Sequence, residues 1–229
     1  MDLNYLDKAE SVALSEGPDA AARFLGAYRR EVCDALSQTP SKIGELLQIS
    51  SQQMHYLCQA DMPDKAVGIA EWFLHTLHHL EAEMSAVEFV HLKRALRESF
   101  SRFFMRYARA LRDLGRMEDM RLSVRTALDL TQELALAIVS MAHLYRPLQT
   151  YETLENEPAR EWLLKRFAEC LAALDFSGQH DTPFRAALDE YQYALRGEDK
   201  LEEARTALNA LSQAYPDDIA VSALCRLLG

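Results

Sequence analysis

Six arginines, Arg94, Arg102, Arg106, Arg109, Arg112 and Arg116, recur at intervals of three, four and eight residues. On a helix turning about 100° per residue they occupy an arc of roughly 120°. The opposite arc holds Phe89, Leu92, Leu96, Phe100, Phe103, Tyr107, Leu111 and Leu114. One long amphipathic helix from about residue 86 to 114, apolar on one face and cationic on the other, is the expectation. The chemistry of such a face is oxyanion capture, because guanidinium forks hold carboxylates and phosphates bidentately. A plainer reading is a solvated face whose arginines pair with acids of neighbouring helices such as Glu81, Glu83 or Glu118.

Two further constellations compete with it. The segment 41–57, from Ser41 through Lys42, Gly44, Ile49, Ser50 and Met54 to Leu57, resembles a DNA-binding helix-turn-helix. In that reading Lys42 meets a phosphate, while Ser51, Gln52, Gln53 and His55 face the bases. Gln48 stands where the turn customarily has Gly. His75, His78, His79 and His91 cluster near Glu71, Glu83 and Glu88, and helical spacing of three or four residues suits a metal. Only Glu88–His91 has the Glu-x-x-His form that di-iron bundles need twice, and no HExxH motif occurs. Structural or surface histidines are the better account. No Gly-rich phosphate loop, nucleophile elbow or reactive-cysteine motif is present, so neither an enzyme nor a bound cofactor is expected.

The elements that must position these residues are helical throughout. Ala, Leu, Glu and Arg dominate the 229 residues, with eight Gly and seven Pro. Apolar periodicity predicts helices from Leu3 to Glu16, from Asp19 to Leu36, and from about Ser41 to Gln59 with an interruption near Ser50. Further helices are expected from Asp64 to Glu83 and from Glu118 to about Leu130 or beyond. The chain reads as a single all-α domain over 1–229, with a weak subdomain boundary at 177–183.

Three stretches share a hairpin pattern. Ala66, Ala70 and Phe73 follow the turn at Asp61-Met62-Pro63; Met120, Val124 and Ala127 follow Gly115; Ala204, Leu208 and Leu211 follow Gly197 and end at Pro216. This spacing resembles the tetratricopeptide repeat, a helix-turn-helix unit of about 34 residues that stacks into a superhelix. The key positions lie 54 residues apart from Ala66 to Met120 and 84 apart from Met120 to Ala204. The resemblance therefore implies a degenerate array of antiparallel hairpins in an α-solenoid, the alternative being an irregular helical bundle. It also implies a concave groove lined by Arg102, Met105, Arg109, Arg112 and Tyr193, taking a protein or peptide partner of acidic character.

Net charge of −10 disfavours nucleic acid and anionic membranes for the surface as a whole. Residues 91–125 run against this, with ten basic and four acidic side chains. Four dispersed cysteines, no secretory signal and no bilayer-length apolar run point to a cytoplasmic protein without membrane insertion. The leading expectation is a non-enzymatic interaction module, namely an adaptor, chaperone or regulatory subunit, with oligomer formation left open. The alternatives are a transcriptional regulator with its helix-turn-helix at 41–57 and a helical sensor domain, and then a metal-binding helical bundle.

Overall fold

Short signals in the chain dictate where each helix starts and stops. In a computed structural model, residues 4–36 and 39–131 are described, with eight scattered positions beyond Thr131. Seven helices result: α1 (Asn4–Glu16), α2 (Pro18–Leu36), α3 (Ile43–Gln59), α4 (Pro63–Glu83), α5 (Ala86–Ala95), α6 (Arg97–Asp113) and α7 (Met117–Leu130). One 3-10 turn, Pro40–Lys42, precedes α3. The described residues are all helix, turn or irregular, with no strand. Contacts divide the chain into two units, Met1–Thr131 and Gln132–Gly229. All seven helices belong to the first. The hairpin expected around 185–216, the loop at 177–183 and Tyr193 lie outside the described residues.

Pro18 and Pro63 open α2 and α4, where a missing N–H costs nothing. Ser85 and Glu88 form a reciprocal capping box at the start of α5. The α6–α7 reversal is a Schellman motif: the Gly115 N–H donates to the Arg112 carbonyl and the Arg116 N–H to the Leu111 carbonyl, both at 2.9 Å. It requires a left-handed residue, and Gly115 supplies it at φ +73°.

The α3–α4 reversal repeats this bonding, Asp61 to Cys58 at 3.3 Å and Met62 to Leu57 at 2.9 Å. Here the left-handed position is held by Asp61 at φ 56° rather than by glycine. Asp61→Gly is therefore expected to raise stability by about 0.5–1 kcal/mol, measured as a denaturant midpoint moving up at constant m. A lower midpoint would show that the Asp61 side chain contributes more than its backbone conformation costs.

Packing is sequential with one additional layer. α1 packs on α2, α2 on α3, α3 on α4 and α6 on α7, while α6 also rests on both α3 and α4. Ala66, Ala70 and Phe73 of α4 are fully buried, as are Met120, Val124 and Ala127 of α7, each on the face that the hairpin spacing predicts. Small residues at these crossings let helix axes approach. Phe73 joins α4 to α6 through the Phe103 ring, with centroids 4.9 Å apart, and through Phe100 at 6.3 Å. Two serine hydroxyls tie the last hairpin: Ser101 donates to the Ala127 carbonyl at 2.9 Å and Ser123 to the Phe104 carbonyl at 2.7 Å.

Two expected helix boundaries change. The long helix over 86–114 is two helices, broken at Leu96, whose φ of −101° and ψ of 11° end α5 and begin α6. Leu96 sits over Gly44 of α3: a Cβ placed on that glycine would lie 3.0 Å from Leu96 Cδ2. Arg94 consequently belongs to α5 and leaves the α6 row. Conversely, α3 runs without interruption through Ser50 and Ser51.

Candidate functional site

The arginine row of α6 resolves into side chains with different surroundings. Arg102 is exposed and lies 3.9 Å from Glu98, one turn earlier. Arg112 is buried, and its Nε donates to Asp113 Oδ1 at 2.9 Å. Arg116 lies beyond the end of α6, where Nη1 reaches Glu71 at 3.0 Å and Nε reaches Asp119 at 2.8 Å. Arg106 turns toward α3 and donates from Nη1 to Ser51 Oγ at 3.0 Å. Arg109, one turn on, is partly buried. Among the described residues, neither Arg106 nor Arg109 has a carboxylate within ion-pair distance.

The facing surface of α3 contributes Ser51, His55 and Cys58, spaced four and three residues apart and hence stacked along one side. Electrostatics there are those of a seam with surplus positive charge. Burial, reinforced by repulsion from Arg106 and Arg109, pushes the His55 imidazole down to about 4. Burial also lowers the Arg106 guanidinium to about 10, with neighbouring Arg102 adding to the shift, so the group still carries its charge near neutrality. The Cys58 thiol is pushed up to about 11 by burial, with Arg109 opposing, which leaves it protonated and a poor nucleophile.

The remaining nominated residues take other places. Met105 is 5% exposed and packs in the core, so it offers no adaptable surface contact. The turn that a helix-turn-helix needs near Ile49–Ser50 is not formed, because Ile43–Gln59 is one helix. Ser51 and Gln53 are buried rather than directed outward, while Lys42, Gln52 and His55 are partly buried. Gln53 Nε2 donates to the Ala22 carbonyl of α2 at 3.0 Å. It fits because position 26 is glycine: a Cβ there would stand 2.8 Å from that nitrogen. His75 and His79 meet edge-on at 4.4 Å between centroids, and His78 lies 3.9 Å from Glu81. Among the described residues no three His, Cys, Asp or Glu side chains converge as metal ligands.

Arg106 was visible in the sequence as a member of the row, but nothing in α6 alone distinguishes it from Arg102. Its role depends on Ser51, which lies 55 positions earlier. The signal that could have joined them is the Ser51, His55, Cys58 spacing, which sets three weakly polar side chains along one side of α3. No family, curated protein or solved structure matches this chain.

Proposed function

We propose that this protein is a non-enzymatic interaction module, an adaptor or regulatory subunit, that captures an acidic segment of a partner protein along the α3–α6 face. The observation that carries this reading is the pair Arg106 and Arg109, two guanidiniums one turn apart, the first anchored on Ser51 and neither with a carboxylate beside it among the described residues. A partly buried cation without a counter-charge costs free energy, and a partner's oxyanion recovers it. The packing order supports a stacked-hairpin arrangement akin to tetratricopeptide repeats, since α6 contacts α3 as well as the intervening α4. The free thiols Cys33 and Cys58 suit a reducing cytoplasm.

The test is binding of a glutamate-rich peptide, measured by fluorescence anisotropy at two salt concentrations. Affinity is expected to fall as salt rises, and Arg106→Ala with Arg109→Ala is expected to weaken it at least about tenfold. These two side chains are chosen because Arg112 is buried against Asp113, and its loss would disturb packing as well as charge. Salt-independent binding, or undiminished affinity in a folded double variant, would remove the face from consideration.

No helix among the described residues is long and apolar enough to cross a membrane.

A further inference from the structure

The donors on the α3–α6 face exceed what a carboxylate needs. A guanidinium carries five N–H donors, and one planar fork is enough to hold both oxygens of a carboxylate. Arg106 spends one donor on Ser51 Oγ, its single hydrogen bond among the described residues. Arg109 lies one helical turn further along and makes none among them. On the opposite wall Ser51 keeps its own hydroxyl hydrogen, and the neutral His55 imidazole offers a ring N–H. Two cations, a hydroxyl and an imidazole thus lie along one seam, where Arg106 meets Ser51 and both arginines act on His55, between two helices packed directly together.

A phosphomonoester is the oxyanion that matches this set. It presents three oxygens disposed around phosphorus and close to two negative charges at neutral pH, against two oxygens and one charge for a carboxylate. Two guanidiniums balance the charge, and the third oxygen accounts for the donors from α3. The other charged groups nearby do not occupy this place: Arg112 is engaged with Asp113, and Arg102 lies on the solvent side near Glu98.

We propose that Arg106 and Arg109 of α6, with Ser51 and His55 of α3, form a site for a phosphorylated serine or threonine on the partner protein. The proposal rests on the acidic-partner reading above and sharpens it from general negative charge to one phosphoryl group.

Calorimetric titration of the full chain with three peptides of one sequence tests it: one carrying phosphoserine, one serine and one aspartate at the central position. The phosphoserine form is expected to bind at least about tenfold more tightly than the aspartate form. Arg106→Gln and Arg109→Gln should each abolish that preference, while Arg106→Lys retains part of it. Inorganic phosphate should compete, and should shift the His55 ring resonances in the NMR spectrum. Equal affinity for the phosphoserine and aspartate forms overturns the phosphoryl site and leaves the acidic-partner reading standing. Binding of free phosphate without binding of any peptide overturns both, as does failure of every probe to bind. If Arg106→Gln does not fold by circular dichroism, Arg109→Gln and Ser51→Ala give the same decision.

Discussion

Phe103→Ala is expected to lower the free energy of unfolding by about 3–5 kcal/mol. Phe103 is fully buried, and its ring stands 4.9 Å from Phe73 of α4 and 5.5 Å from Phe104. Truncation removes the burial of a large apolar side chain and leaves a cavity between α4 and α6 that helices on either side cannot easily close. A loss of this size is a large part of the stability of an ordinary domain, so the denaturant midpoint should move far. Phe104, which is only partly buried, serves as the comparison, and Phe104→Ala should cost distinctly less. Equal costs for the two would mean that the aromatic contact across α4 and α6 is not the centre of the core. The arginine row lies on the opposite arc of α6, so any Phe103→Ala molecules that remain folded should keep their affinity for an acidic peptide.

The second large effect is a loss of stability in mild acid that is specific to His55. Its pKa in the folded protein is pushed down to about 4, below the 6.5 of an unperturbed imidazole. As pH falls, the unfolded chain therefore takes up this proton first, and protonation pulls the equilibrium toward unfolding. Stability is full above the unfolded value and declines as pH drops from it toward the folded value. The loss amounts to up to about 2 kcal/mol by about pH 5. His55→Gln removes the titrating group, so the difference in unfolding free energy between wild type and variant should slope across this window. A difference that stays constant between neutral pH and about pH 5 would show that His55 titrates alike in both states. The comparison between two proteins matters because carboxylates begin to protonate at the lower end of the range and affect both alike.

Much of the first unit was legible from sequence because the signals are local. Gly17, Pro63 and Gly115 act within their own turns, and the alternation of apolar and charged arcs on α6 gives both its buried side and its cationic side. What was not legible depends on pairs of residues from different helices. The break at Leu96 is invisible in α6 because Leu96 keeps the apolar period; what the structure adds is its packing over Gly44 of another helix. Met105 lies near the cationic arc in sequence, yet it is buried in the packed core. Ser51 and Gln53 look like polar readers on an outward face, and they are inward because one buried amide and one buried hydroxyl each meet a partner on another helix. For Gln53 that partner is the Ala22 carbonyl, and for Ser51 it is Arg106. Polar residues carry no hydrophobic period, so their direction is set by the partner and not by the pattern.

The fit of Gln53 against Gly26 has a consequence for how this sequence can change over generations. Adding a methyl group at position 26 first would push the amide off the Ala22 carbonyl, at the cost of a buried hydrogen bond. Shortening position 53 first would leave a void beside α2 that a later methyl group at 26 could fill. The two substitutions are therefore ordered: one route passes through a strained intermediate and the other through an underpacked one. Relatives of this protein should carry a residue larger than glycine at position 26 only where position 53 is smaller than glutamine, so the two sites drift as a pair.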